Sequence, residues 1–205
     1  MTPGSMTDAE LLSSLRDDYR LEELPPYDAP IVLDVGAHVG GFSRYALERW
    51  PRAQVYAFEP HPETFAKLVD QTRGLRIYAT RVAVVHPKNS DTVRLYEGVN
   101  GSHECSTRDD VRWPHCSQDL TRWHDVPALD ASELLPADVL KVDTEGAELA
   151  ILTGYRHMPG VRALLVEPHA VGGDYRGQEL MIRALARAWG FREHGKGIAW
   201  RFVRD

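Results

Sequence analysis

The chain has 205 residues, of which 43% are hydrophobic and 26% are charged, a composition typical of a folded globular protein rather than a disordered or fibrous one. This length fits one domain with a core of its own, so we predict a single domain over residues 1–205. The 24 lysines and arginines against 30 aspartates and glutamates give a formal net charge of −6, which disfavours a nucleic-acid partner, because phosphate binding requires clustered positive charge.

The predicted elements begin with an amphipathic helix between Thr7 and Leu24, where apolar residues recur at roughly helical spacing. Pro25 and Pro26 end this helix, because proline lacks an N–H donor and its ring clashes with the preceding turn. With the linker to Pro30, the segment forms an N-terminal helical extension over residues 1–30.

From Ile31 onward, short apolar runs alternate with amphipathic stretches. Predicted strands cover Ile31–Val35, Gln54–Phe58, Leu75–Tyr78, Val82–Val85 and Thr92–Tyr96, and predicted helices cover Gly41–Trp50 and Pro62–Gln71. The alternation resumes later with strands Val139–Val142 and Ala163–Val166, helices Ala147–Leu152 and Gln178–Trp189, and a hairpin of Phe191–Glu193 and Ile198–Val203 around Gly195–Gly197. Such alternation predicts an α/β fold with a doubly wound, mostly parallel sheet.

The interval Glu97–Asp125 interrupts this rhythm and has no sustained period. Loops of this length in compact domains are usually functional or disordered, and Trp113 and Trp123 argue against disorder. We therefore predict a lid over residues 97–125. Its cysteines and histidines match neither a C-x-x-C pair nor a zinc-finger spacing, so we interpret them as unligated lid residues, namely His103, Cys105, His115, Cys116 and His124.

A glycine-rich turn follows the first predicted strand. Asp34 stands at the end of the strand, Gly36 permits a tight turn, and Gly40 and Gly41 let the backbone approach a ligand at the start of a helix. The spacing differs from the G-x-G-x-x-G that binds a pyrophosphate. S-adenosylmethionine has no phosphate but carries a cationic sulfonium and an amino group, so the acidic turn favours this methyl donor.

A second acidic residue, Glu59, ends the next predicted strand. A carboxylate at this position can accept hydrogen bonds from both ribose hydroxyls of an adenosine cofactor. Together, Asp34 and Glu59 indicate a nucleoside site at the carboxyl end of the sheet.

Three segments resemble the S-adenosylmethionine-dependent methyltransferases of the FkbM type, which belong to the Rossmann-like class I methyltransferases. The segments are Val32–Ser43, Ala57–Pro62 and Leu140–Glu148, of which the last is the most specific. The resemblance implies a seven-stranded sheet, one methyltransferase domain and S-adenosylmethionine as cofactor. The family usually has asparagine where this chain has His38. The predicted cofactor-binding residues are Asp34, Gly36, His38, Gly40, Phe42, Ser43, Glu59, Pro60, Arg81, Val82 and Asp143.

Further carboxylates are expected at the same rim. Asp143 and Glu145 follow one buried strand, and Glu167 and His169 follow the next. Since methyl transfer to a hydroxyl requires removal of a proton, we predict Asp143, His169 and Glu145 as catalytic residues. The alternative is that Glu145 or Glu148 only stabilises the N-terminal turn of the following helix and that His169 is a surface histidine. A divalent cation is not favoured; its ligands would be Asp143, Glu167 and His169.

The function predicted from these features is O-directed methyl transfer to a small molecule such as a sugar or secondary metabolite. One alternative is a nicotinamide-dependent oxidoreductase, although no Tyr-x-x-x-Lys pair is visible. The other is a non-catalytic nucleotide-binding module of the same fold.

Two cysteines, no signal-peptide pattern and no apolar run of about 20 residues predict a cytoplasmic protein with no membrane partner. The predicted partner is the small-molecule acceptor, and the sequence does not specify an oligomeric state.

Overall fold

The computed structural model describes residues 8–98, 101–108, 112–113, 116–194 and 199–204, with side chains described for residues 13–98, 105–108, 122–194 and 199–204. Five helices lie in these segments: α1 Asp8–Tyr19, α2 Gly41–Arg49, α3 Pro62–Gln71, α4 Glu148–Gly154 and α5 Tyr175–Ala188. The strands are β1 Ile31–Val35, β2 Gln54–Phe58, β3 Ile77–Thr80, β4 Ala83–Val85, β5 Thr92–Gly98, β6 Gly101–Ser106, β7 Arg112–Trp113, β8 Cys116–Asp130, β9 Val139–Val142, β10 Ala163–Val166, β11 Arg192–Glu193 and β12 Trp200–Val203. Among these helices, none combines the length and hydropathy that crossing a bilayer requires.

The main sheet has seven strands in the order β11-β12-β10-β9-β1-β2-β3. Strands β3, β2, β1, β9 and β10 run parallel to one another, whereas β12 is antiparallel to both β10 and β11. The predicted α/β fold with a mostly parallel seven-stranded sheet is therefore confirmed. The chain leaves β1 toward β2 on one side, and β9 pairs with β1 on the other. This reversal opens a crevice beyond the carboxyl ends of these strands.

Both faces of the sheet are covered, which explains the continuous apolar runs of its central strands. Val32 packs in a cluster with Phe42 and Trp50 of the α2 side, whereas the next residue, Leu33, packs with Ile151 of α4 on the opposite face. All of these side chains are at most 3% exposed. The two core layers hold the strand ends in fixed positions.

The segment predicted as a lid folds as β structure instead of a loop in its described part. Strands β4, β8, β5 and β6 form a second sheet, with β7 paired to β8. Strand β8 extends to Asp130, five residues beyond the predicted end of the insertion. The alternation expected of strands is hidden because the β5 pairings shift register between Tyr96 and Glu97.

Smaller differences concern the element boundaries. The N-terminal helix ends at Tyr19, because Arg20 adopts a left-handed conformation with φ of +42°, and a short 3-10 helix follows at Leu21–Glu23. Helix α5 begins three residues before the predicted start, where the Asp174 side chain accepts a hydrogen bond from the Gly177 N–H at 2.8 Å. The turn predicted around Gly195–Gly197 lies outside the described residues.

Candidate active site

A cavity of about 290 Å³ lies at the carboxyl ends of the central strands. Its wall is formed by the β1–α2 loop, the ends of β2, β9 and β10, parts of β4–β6, and Leu15 and Tyr19 of α1. The volume is close to the lower end of the range for small-molecule sites, about 300–1,000 Å³. Glu59, Asp143, Glu145 and Glu167 of the predicted rim line this cavity, whereas Asp34 and His169 do not.

Glu59 follows β2 and lines this cavity. One carboxylate oxygen accepts a hydrogen bond from the His38 N–H and the other from the His61 N–H, both at 2.9 Å. Burial raises the pKa of Glu59 to about 7 although these N–H donors act in the opposite direction. Each oxygen keeps a second lone pair, so the carboxylate can still accept two hydroxyl donors from a ligand.

Asp34 lies beneath the cavity rather than in its wall. The side chain has no exposed surface and accepts a hydrogen bond from Ser43 Oγ at 2.6 Å, and the Lys141 ammonium lies 3.2 Å away. Burial raises the pKa of Asp34, while Lys141 and Ser43 oppose the shift. The expectation that Asp34 holds the cationic part of the cofactor directly is corrected, because its side chain is fully buried and does not line the cavity.

Lys141 was not recognised as a site residue from the sequence. Its ammonium reaches Asp34, Asp143 at 3.4 Å and the Gly36 carbonyl oxygen at 2.5 Å. Burial acts to lower the pKa of Lys141, but the two carboxylates more than offset this and raise it. A lysine inside the buried strand Val139–Val142 is itself a signal, because a buried charge requires partners.

The turn between β1 and α2 depends on Gly36. Its φ is +80°, and a Cβ at this position would lie 1.7 Å from the Asp143 carbonyl oxygen. Only glycine lets the loop approach the end of β9 this closely. His38, at φ of +50°, then directs its N–H to Glu59 and lines the cavity.

Helix α1 closes one side of the cavity through Tyr19. The phenol O–H lies 3.4 Å from an Asp143 oxygen and 3.5 Å from a Glu167 oxygen, and the ring packs edge-on against Phe42 at 5.0 Å. Burial and then Asp143 raise the pKa of Glu167 to about 8. Tyr19 was predicted as part of an amphipathic helix but not as part of the site.

His169 is buried between two glutamates. Its Nδ1 lies 3.0 Å from Glu148 and its Nε2 lies 3.3 Å from Glu145 and 3.9 Å from Asp143. Although burial lowers its pKa, Glu148 and Glu145 raise it well above the usual value. Glu145 and Asp143 line the cavity, while the imidazole stands behind Glu145. The alternative that His169 is a surface histidine is therefore wrong.

Glu148 is more than a residue of the first helical turn. It accepts hydrogen bonds from the N–H groups of Thr144 and Gly146, each at 2.9 Å, and contacts His169. Although burial acts to raise the pKa of Glu148, His169 and these donors hold it below the usual value. Glu148 thereby fixes the loop that carries Glu145, whose φ is +53°.

The remaining predicted residues divide into two groups. Phe42, Pro60 and Val82 line the cavity. Gly40, Ser43 and Arg81 do not: Ser43 is fully buried against Asp34, Gly40 packs against Leu68, and Arg81 is exposed. Direct cofactor contact is thus not what the structure favours for these three.

Among the insertion residues, Cys105 lines the cavity, and Ser106 Oγ donates a hydrogen bond to the Glu145 carbonyl oxygen at 2.6 Å. The second sheet therefore forms part of the site, as a lid would. The side chains of His103, His115 and Cys116 lie outside the described residues.

Asp143, Glu167 and His169 each offer a possible metal-ligating atom within 4.8 Å of the others. The ammonium of Lys141 already supplies positive charge to Asp143.

Comparison with known proteins gives a consistent result. The family described as "Methyltransferase FkbM domain" matches residues 34–193. The chain is 30% identical over 156 residues to the hexuronic acid methyltransferase AglP of Haloferax volcanii, covering 73% of this chain but only 59% of that relative. It is 30% identical over 201 residues to the 31-O-demethyl-FK506 methyltransferase FkbM of Streptomyces tacrolimicus, covering 82% of this chain and 74% of that one.

A similar fold occurs in solved structures. Fibrillarin of Aeropyrum pernix with natively bound S-adenosyl-L-methionine superposes with a TM-score of 0.52 and 14% identity, over 94% of this chain and 74% of that chain. Precorrin-6y C5,15-methyltransferase of Geobacter metallireducens gives a TM-score of 0.50 and 11% identity, over 97% and 87%. At these identities, the likeness concerns the fold alone.

Proposed function

Because the chain belongs to the FkbM methyltransferase family, we propose that it transfers a methyl group from S-adenosylmethionine to a hydroxyl group of a small molecule. The observation that carries the proposal is the convergence of Glu59, Asp143 and Glu145 on one cavity at the carboxyl ends of neighbouring strands. Glu59 is suited to bind a ribose, Asp143 to contact a cationic donor, and Glu145 to accept a proton.

The residues of the cavity fit the cofactor. Glu59 retains two acceptor positions for the ribose hydroxyls, and the apolar side chains Phe58, Pro60 and Val82 offer a surface for the adenine ring. The carboxylate of Asp143 complements the positive charge of the sulfonium and amino groups, and the Glu167 carboxyl group lines the cavity beside it. When bound, S-adenosylmethionine supplies a methyl carbon attached to a positively charged sulfur.

Glu145 is the residue that we assign as the proton acceptor. It lines the cavity, and burial raises its pKa, which makes its carboxylate a better base than an exposed glutamate. The acceptor oxygen would form its bond to the methyl carbon as the carbon–sulfur bond breaks with its electron pair left on sulfur, and Glu145 would take the hydroxyl proton. The products are a methyl ether and the neutral thioether of the donor.

His169 then acts as a positioning residue instead of the base. Its raised pKa keeps the imidazole protonated at neutral pH, so both ring nitrogens donate, one to Glu148 and one to Glu145. This arrangement orients the Glu145 carboxylate and favours its ionised form before the reaction. Asp143 remains the proposed contact to the donor, held by Lys141 and Tyr19.

The proposed acceptor is a hydroxyl of a sugar or a secondary metabolite. The names of the relatives support this class: they include a hexuronic acid methyltransferase, a 31-O-demethyl-FK506 methyltransferase and the 2-O-methyltransferase NoeI of Sinorhizobium fredii, which is 26% identical over 84% of this chain and 76% of its own length.

The test is calorimetric titration of the protein with S-adenosylhomocysteine and with NAD, followed by a methyl-transfer assay on hexuronic acids and macrolide alcohols. We expect binding of the sulfur nucleotide alone, and a methyl ether as the product. Binding of NAD without S-adenosylhomocysteine would overturn the proposal in favour of an oxidoreductase.

A further inference from the structure

A second cluster of polar side chains lies outside the cavity wall, where the core meets the second sheet. It consists of His61 after β2, Glu97 on β5 and His124 on β8. Each offers one ligand atom, and these atoms lie within 4.8 Å of one another. Neither the predicted site nor the proposed methyl transfer uses this cluster.

The contacts of Glu97 leave its two oxygens with different partners. One oxygen lies 2.8 Å from His124 Nε2, and the other is paired with Arg122. The guanidinium therefore holds the carboxylate in position without occupying the oxygen that faces the histidine. Metal-ligating carboxylates are commonly held by such an outer partner.

His61 is oriented by the start of α3. Its Nδ1 lies 3.3 Å from the Thr64 backbone N and 3.2 Å from Thr64 Oγ1, which leaves Nε2 as the other ring nitrogen. Nδ1 accepts the Thr64 N–H as the cap of α3, so metal binding at Nε2 requires the ring proton to move to Nδ1, which then donates to Thr64 Oγ1 in place of that cap. The ring is 4% exposed and packs edge-on to His124 at 4.9 Å.

We propose that His61, Glu97 and His124 form a binding site for a divalent transition-metal ion, of which zinc fits the donor set best. Two imidazoles and one carboxylate make a three-ligand zinc site with an open fourth position, whereas calcium and magnesium prefer oxygen ligands. Tetrahedral zinc ligands lie roughly 3.3 Å apart, so side-chain movements of about 1.5 Å or less bring all three into range. The ion would join the segment next to Glu59 to the second sheet.

The experiment measures zinc binding to the full chain, purified without a histidine tag and stripped with a chelator. Calorimetric titration with zinc chloride, and elemental analysis after desalting, should give one zinc per chain. Cobalt(II) titration should give the visible absorption of a four-coordinate ion. We also expect zinc to raise the melting temperature, because the ligands come from separate elements.

Two variants assign the site. His61→Asn keeps an oxygen that can cap α3 but removes Nε2, and His124→Asn leaves the cap untouched; each should weaken zinc binding at least tenfold. His157→Asn is the matched control at a histidine outside the cluster and should bind like the parent protein. His169→Asn should also leave the zinc affinity unchanged.

Two outcomes overturn the proposal. One is absence of zinc binding to the stripped parent protein. The other is equal zinc affinity in the parent and in both cluster variants, which would mean that the ion binds elsewhere. If only His169→Asn reduces the zinc affinity, the ion binds at Asp143 and Glu167. Because the readout is metal binding, these outcomes are independent of methyl transfer.

Discussion

The two acidic strand ends Asp34 and Glu59 differ in their access to a ligand, and the ammonium of Lys141 is part of the reason. The ammonium forms an ion pair with Asp34 below the cavity, whereas Glu59 lines the cavity wall. The sequence predicted both acidic strand ends, because charged residues after buried strands stand out. It did not predict that Asp34 is buried, because the burial of a strand-end residue depends on which side chains pack over it in the folded protein.

Replacing Glu59 by glutamine tests the ribose contact. The amide has only one acceptor oxygen and places an N–H₂ group against the His38 or His61 N–H. Hydrogen bonds to a charged group contribute about 1.5–3 kcal/mol, so we expect Glu59→Gln to weaken S-adenosylhomocysteine binding by roughly tenfold or more in calorimetry. Glu63→Gln, in the first turn of α3, is the control. An unchanged dissociation constant for Glu59→Gln would refute the ribose assignment.

Replacing His169 by glutamine separates a positioning role from cofactor binding. We expect kcat to fall at least tenfold while the dissociation constant of S-adenosylhomocysteine changes less than twofold. His169 lowers the pKa of Glu145, so its loss raises that pKa. Since Glu145 must be ionised to accept a proton, the acidic limb of the pH–rate profile should shift to higher pH.

A merely structural role for His169 predicts a different result. In that case the melting temperature and kcat would fall together, and the pH–rate profile would keep its position. Comparing the profile of His169→Gln with that of the parent protein distinguishes the two roles.

At the level of elements, the apolar runs of the main sheet were sufficient to predict its central strands. The strands β1 and β2 have the bounds that the sequence predicted. Of the second sheet, β4 and most of β5 were predicted as strands, but β6, β7 and β8 were not. In β8 the residues 120–122 fall between the partners of Tyr96 and Glu97, which interrupts the alternation of polar and apolar residues. Among the side chains that the structure describes, the buried cluster of this sheet consists of Ala83, Leu95 and Val126.

Asp130 fixes the end of β8 against the loop after β4. It accepts hydrogen bonds from the N–H groups of Ser132 and Lys88 at 2.9 and 2.8 Å, and its oxygens lie 3.2 Å from His86 Nδ1. The hydrogen bonds from Ser132, together with those from Lys88 and His86, hold the pKa of Asp130 well below its usual value. This carboxylate therefore ties the second sheet to the main body.

Substituting Asp130 is expected to destabilise the protein in a pH-dependent way. Loss of a cap costs about 0.5–2 kcal/mol, so Asp130→Ala should lower the free energy of unfolding at pH 7 by about that amount in urea denaturation. The folded-state pKa is lowered, so the stabilisation is fully present above the unfolded value of about 4 and is lost as pH falls below it. The difference from the parent protein should therefore narrow below about pH 4.

The control for this measurement is Asp70→Asn, at an exposed side chain of α3. It should change the free energy of unfolding by less than about 0.5 kcal/mol at either pH. A gap between parent and Asp130→Ala that stays constant from pH 7 to pH 3.5 would contradict the proposed linkage.

For the molecule as a whole, the sequence predicted where the site lies but not everything that encloses it. Strand ends of a doubly wound sheet meet at one crevice, so Glu59, Asp143 and Glu145 were placed together from the strand order alone. Tyr19 reaches the site through a tertiary contact with Asp143, which lies 124 residues away in the chain. A local sequence pattern cannot predict a contact of this kind.

Cofactor binding should be visible as global stabilisation. A ligand that binds only the folded state at 100 times its dissociation constant adds about 2.7 kcal/mol to the free energy of unfolding. For a chain of this length, we expect S-adenosylhomocysteine to raise the melting temperature by roughly 5–10 °C in a thermal scan. NAD at the same concentration should produce no shift, and an equal shift with both ligands would argue for an unselective nucleotide site.

Helix α1 supplies Leu15 and Tyr19 to the cavity wall, so anything fused ahead of Asp8 is tethered to the cofactor site. A polyhistidine tag there would bring additional imidazoles to the element that closes the cavity, and would compete for the zinc that His61 and His124 are proposed to bind. Strand β12 lies inside the main sheet, and residues 199–204 contribute nothing to the cavity wall. A cleavable, histidine-free tag after β12 is therefore the arrangement in which cofactor affinity and zinc content can be measured without interference.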